Sequence, residues 1–170
     1  MVTDYIGARN VLKHRLDAVF GEVFAELYEG RHAPKVFLGF PVTEPPFYAA
    51  VDEIAEAQAS AAASMGHARI DFTLRVWLCA QHSSLEEASD DLLSYIDVVI
   101  ASVLADQTLN GTVENAFPEV ESAGTAADSS KRYIAAAQLA IRCTVWSVCP
   151  AALLQAVEDS NSAIGELDEG

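Results

Sequence analysis

Basic residues are scarce in this chain. Ten Lys and Arg stand against 25 Asp and Glu in 170 residues, a formal charge of −15. Affinity for naked nucleic acid or an anionic bilayer comes from Lys and Arg neutralising phosphates, so tight binding of either is not expected. Cysteine is rarer still: Cys79, Cys143 and Cys149 form an odd set without a C-x-x-C pair. That is a poor disulfide framework and a poor zinc site, and each thiol lies in or beside an apolar run, where it reads as a small buried hydrophobe. No run of about 18 apolar residues occurs, so no spanning helix is expected. Met1-Val2-Thr3-Asp4-Tyr5 lacks the basic-then-apolar opening of a signal peptide, and the expected setting is a reducing cytoplasm or something assembled there. The nine glycines are scattered; neither G-x-G-x-x-G nor G-x-x-x-x-G-K appears, and G-x-S-x-G is missing too. Neither a phosphate cradle nor a nucleophile elbow is expected, and nothing in the chain demands an enzyme or a cofactor.

Apolar residues make up 51% of the chain, 29 of them Ala. The length is that of one domain with at most a tail. Leu12, Leu16, Val19, Phe20, Val23, Phe24 and Leu27 fall at three- and four-residue steps, which predicts an amphipathic helix from Asp4 to Tyr28, stopped by Gly30. Pro34 to Pro41 brackets a short apolar run that reads as a strand. From Phe47 to Ser64 two patterns compete. Alanine richness favours a helix, whereas the alternation Ala55-Glu56-Ala57-Gln58-Ala59 has the period of a strand. After Pro45-Pro46 we favour a strand from about Phe47 to Gln58 and then an Ala/Ser turn ending at Gly66. Ile70 to Ala80 alternates over a long strand. Ser84-Leu85-Glu86-Glu87 has capping-box spacing and opens a helix to about Asp106. Asn110-Gly111 signals a turn, Thr112 to Glu121 an edge or bulged strand interrupted by Pro118, and Ser122 to Ser130 a loop. Tyr133 to Trp146 alternates as the last long strand. Residues 150–170 are acidic, with no Lys or Arg, and read as a flexible tail with room for a short helix near Leu153.

The expected fold is therefore α+β over residues 1–149: a mixed or antiparallel sheet of four to five strands, two amphipathic helices on one face, and a wet opposite face. His14, His32, His67 and His82 sit in no motif and read as solvated surface histidines. Glu86, Glu87, Asp90 and Asp91 share helical spacing, but carboxylates in a capped first turn are explained by the helix dipole and solvation. The basic residues that cluster are Arg69 and Arg75 on the central strand and Lys131, Arg132 and Arg142 on the last one. In so acidic a chain they read as partners for acidic neighbours or for an acidic subunit surface, which makes them the candidate interaction residues.

The order of these elements resembles the tail-terminator (tail-completion) proteins of long-tailed, lambda-like bacteriophages. The resemblance rests on the N-terminal amphipathic helix, the segment Phe40-Pro41-Val42-Thr43-Glu44-Pro45-Pro46-Phe47, and the strand His67 to Leu78. It continues through the Ser84 to Asp106 helix, the Thr108 to Val113 turn and the strand ending Ile141-Arg142-Cys143-Thr144-Val145-Trp146. It covers about Asp4 to Val148; the Ala-rich segment from Ala55 to Ser64 departs from a simple hairpin. The resemblance implies a non-enzymatic virion protein, assembled in the cytoplasm of a bacterial host, with no catalytic residues to carry over. It implies a ring, a hexamer in that family, that caps the head-proximal end of the tail tube. Its implied partners are copies of itself, the tube protein and a head-completion or neck protein, with DNA passing through unbound and no membrane. Other readings are a different head–tail connector component, an adaptor that binds peptides by strand addition at Thr112 to Glu121, and a small enzyme, which would need a pocket around a perturbed ionisable group.

Overall fold

The computed structural model describes residues 5–60, 67–128, 130–148 and 151–168. Helix α1 (Tyr5–Ala18) runs without a break into a π-helical turn (Val19–Val23) and the short α2 (Phe24–Leu27). Ala8, Leu12, Leu16, Phe20 and Phe24 are all buried, a strict four-residue ladder. In a regular helix such a ladder drifts about 40° per step, because four residues overshoot a 3.6-residue turn. The π turn absorbs an extra residue and turns Phe24 back toward the core.

Strands β1 (Lys35–Leu38), β2 (Phe47–Ser60), β3 (His67–His82), β4 (Asn115–Ala127) and β5 (Tyr133–Val148) form one sheet in the order β1-β2-β3-β5-β4. Among the described strands only β1 and β2 pair in parallel. Helix α3 (Leu85–Leu104) lies on β3, β4 and β5, and α1 lies on β1 and β2. The alternation foreseen in β3 and β5 sets the dry face: Phe72, Leu74, Val76 and Leu78 pair in register with Cys143, Ile141, Leu139 and Ala137, and all are buried. Ser84 caps α3 by accepting from the Glu87 amide at 3.4 Å. The expected α+β class and the two helices on one face are what the chain adopts, and β2 is a strand.

Three expectations change. Strand β4 continues to Ala127, through residues expected as a loop, and kinks where its register to β5 shifts between Val120 and Ser122. The small side chains there carry little strand signal of their own, and β5 supplies the pairing. Strand β2 carries two bulges, at Val51/Ile54 and Ala55/Gln58, which interrupt the alternation that suggested it. Where a short helix near Leu153 was foreseen in the acidic end, α4 (Ala151–Asp168) takes up most of it. No helix among the described residues is long and apolar enough to cross a membrane.

Arg15 ties the two helices together. Its guanidinium donates to the Ser102 and Asp106 carbonyls at 3.0 Å each, to the Asp106 carboxylate at 2.5 Å and to Asn110 at 2.8 Å. The Asp106 carboxylate also accepts from the Thr108 hydroxyl and from the amides of Thr108 and Asn110, and these bonds, with Arg15, hold its pKa well below the usual carboxylate range. A depressed folded-state pKa contributes stability that is complete above the unfolded value of 3.8 and drains as pH falls toward the folded one. Asp106→Asn is therefore expected to flatten the acid limb of the stability–pH curve below about pH 5, read by urea unfolding at stepped pH. An unchanged acid limb would count against this role.

Candidate functional site

The wet face of the sheet gathers three of the five basic residues singled out above. Arg75 of β3 and Arg142 of β5 flank Ala140, whose side chain is fully buried beneath them. Arg142 donates to Glu119 of β4 at 2.6 Å and lies 3.9 Å from Glu56 and 4.0 Å from Glu121. Arg75 reaches Glu56 at 3.3 Å and Glu121 at 3.9 Å. Gln138 donates to Glu121 at 2.8 Å. Toward the far end of β3, Arg69 meets Asp71 at 3.2 Å, and Asp71 also accepts from Thr144 at 2.7 Å. The Glu119 carboxylate beside it pushes the Arg142 pKa up still further.

Glu56 sits at the second bulge of β2 with φ of 55°. A non-glycine residue in that region is strained, and bulges re-aim side chains. Here the bulge serves one carboxylate to two guanidiniums. Two guanidiniums (Arg69, Arg142) and two carboxylates (Glu56, Asp71) line a shallow cleft of about 460 Å³ with Gln58, Thr73 and Thr144, and Arg75, Glu119 and Glu121 extend the charged network beside it. The charges compensate one another along the strands. As a surface it suits contact with a polar protein face, where such pairs exchange partners and set orientation.

Lys131 and Arg132 do not join this group. They belong to the β4–β5 turn, at the end of β5 that pairs with His82. Asp128 organises the turn by accepting from Ser130 at both its amide and hydroxyl and from the Arg132 amide, and these bonds lower the Asp128 pKa. Lys131 has φ of 62° and is exposed, a left-handed position that favours glycine. Lys131→Gly is expected to raise stability by about 0.5 kcal/mol, as a shift in the urea midpoint. A clear loss would show that the Lys131 side chain holds the turn.

A second polar cluster joins the loop before β1 to α3. Asp91 is fully buried. It accepts from the His32 amide at 3.2 Å and contacts the His32 ring nitrogen Nδ1 at 2.9 Å; Arg31 lies 3.8 Å away. The Tyr95 hydroxyl donates to the His32 carbonyl, and burial raises the Tyr95 pKa well above its ordinary value. The His32 ring stacks on Phe47 at 4.6 Å, nearly parallel, and His82 lies beside it while meeting Glu87 at 2.8 Å. Two readings from the sequence are corrected here. Asp91 is not a solvated first-turn carboxylate, and His82 is half-buried between Glu87 and the His32 ring, whereas His32 is exposed as expected although a carboxylate and a ring hold it. The signal lay in the spacing: Asp91 is three residues after Ala88 and four before Tyr95, on the stripe α3 buries. His14 is exposed as expected, and the side chain of His67 lies outside the described residues.

Burial pushes the thiol of Cys143 up to about 12 and raises that of Cys79, which leaves both poor nucleophiles at neutral pH. Cys143 behaves as the small buried hydrophobe expected; Cys79 is half-buried on the wet face beside Tyr48. Cys149 lies outside the described residues.

No known protein family matches the chain. No curated protein matches it either. Among solved structures it is similar to a chain from the virion of a native gene transfer agent particle, at 10% identity and a TM-score of 0.37, over 83% of this chain and 99% of that one.

Proposed function

We propose that this chain is a structural virion-assembly protein that caps the head-proximal end of a phage tail tube as a ring, ending tube growth and offering the surface to which the head is joined. The observation that carries the reading is the element order on which the family resemblance rests: an amphipathic helix, three strands, a capped helix and two strands, folded into one sheet with helices on one face. Two further features support it. The wet face carries mutually compensated charges suited to protein contact, and the net charge of −15 suits a lumen through which DNA passes without being bound. In this reading the protein is not an enzyme, its ring is a hexamer, and its partners are the tube protein and a neck protein. Electron microscopy of purified protein mixed with tail tubes tests it: rings and tubes of uniform, capped length are expected. Tubes that keep growing in the presence of excess protein, or strong DNA retention at low salt, would overturn it.

One observation favours an adaptor as the second reading. Strand β4 is an outer strand with its far edge unpaired in this sheet, the geometry that strand addition requires. Saturable binding of an extended peptide by a monomer would select it.

A further inference from the structure

Helix α4 has an apolar stripe that touches little of its own chain. Leu153, Leu154 and Val157 are 56%, 38% and 52% exposed, and every described side chain from 152 to 162 is exposed. At 3.6 residues per turn these three fall within about 100° of one another, with Asp159 on the opposite side and Glu158 at the edge beside Leu154. The helical layer carries a matching surface. Val19, Leu27, Tyr28, Val98, Ala101 and Ala105 line an apolar groove of about 210 Å³ between the α1–α2 stretch and α3. Leu93 and Leu104 extend the exposed apolar surface along α3, and Leu27 stands 65% exposed at the rim. One chain thus holds an unpartnered amphipathic helix and an apolar groove that the helix leaves uncovered.

We infer that α4 of one copy docks in the α2–α3 groove of the next copy. Helix-in-groove recognition reads anchors three and four residues apart, the spacing of Leu153, Leu154 and Val157. With the stripe in the groove, Asp159 of α4 points away from the wall that carries Asp97. Area decides the kind of association. An 18-residue helix is about 27 Å long and about 10 Å wide, so one docked helix covers roughly 270 Å² on each partner. That is about a third of the roughly 1,600 Å² total of a stable pair. A single helix exchange does not hold two copies together unaided. In a head-to-tail ring each copy gives one helix and receives another, and every contact is reinforced by closure. The inference rests on the ring reading and names its contact.

The test uses full-length chains carrying Ala101→Cys or Val157→Cys, mixed and oxidised mildly. A covalent dimer that forms in the mixture, above the background of either variant alone and of the parent chain with its own cysteines, is expected. No such dimer, or a bond that closes only within a doubly substituted chain at high dilution, overturns the inference. Leu153→Asp with Val157→Asp supplies the second readout. These side chains lie outside the core, so the variant should melt with the parent while rings and capped tubes fall at least tenfold in number. If the variant caps tubes as the parent does, the docking inference fails and the capping reading stands. If the cross-link forms but the parent caps no tubes, the capping reading fails and the helix contact stands.

Discussion

Replacing Tyr95 by alanine is expected to remove about 4 kcal/mol of unfolding free energy and to lower the melting temperature by about 12 °C. Among the described residues Tyr95 is the largest fully buried side chain. Its ring meets Phe20 edge-on at 5.7 Å and Phe24 at 5.8 Å, so it closes the contact between α3 and the α1–α2 stretch. Truncation opens a cavity between two helices whose backbones are held apart by neighbouring contacts, and partial collapse is the costly case. Tyr95→Phe separates the ring from the hydroxyl. It keeps the packing, leaves the His32 carbonyl without its donor, and should cost about 1.5 kcal/mol. Equal losses for the two variants in urea unfolding would show that the hydroxyl, and not the ring, carries the effect.

Asp91→Ala should cost about 3 kcal/mol, because a buried carboxylate with several donors is removed and the donors lose a common acceptor. The substituted chain retains Arg31 and His32 at the surface, where water partly replaces the lost bonds; Asp91→Asn, which keeps the shape, should cost about half as much. Asp91 and Tyr95 hold the same residue: one takes the His32 amide and ring, the other binds its carbonyl. Asp91→Ala combined with Tyr95→Phe is therefore expected to lose about 1 kcal/mol less than the separate losses added together. Amide hydrogen exchange gives the local readout. Protection of His32 should fall in either variant before the core strands are affected. Strict additivity in the cycle would show that the two bonds act independently.

What the sequence revealed and what it hid divide along the range of the interactions. Strands β3 and β5 were legible because the alternation from Ile70 to Ala80 and from Tyr133 to Trp146 is a signal local to each strand; which strand each would pair with was not, because nothing local encodes it. The cap at Ser84 was legible because it spans three residues. The Ala-rich part of β2 was harder, since each of its two bulges shifts the alternation at the point where it should be read. The His32–Asp91 contact joins residues 59 positions apart, and only the position of Asp91 on an otherwise apolar stripe hinted at it. Of the five basic residues, Arg69, Arg75 and Arg142 share the wet face because β3 and β5 pair in register; Lys131 and Arg132 looked like their neighbours in sequence but belong to a turn. Glu56, which joins Arg75 to Arg142, carried no signal at all, because its reach depends on a left-handed bulge.

The π turn at Val19–Val23 uncouples chain length from orientation at one point. Each residue of an α-helix advances the direction of the next by about 100°, so losing a residue from α1 would turn everything after it. Removing Gly21, which is exposed and meets nothing that would resist the change, would instead take out the surplus residue and leave a regular α-helix. Phe24 would stay in the aromatic trio it forms with Phe20 and Tyr95, and Leu27 would keep its place at the rim. The turn is thus the one stretch of the N-terminal helix where a codon can be lost while the sticky side of the molecule stays where it is.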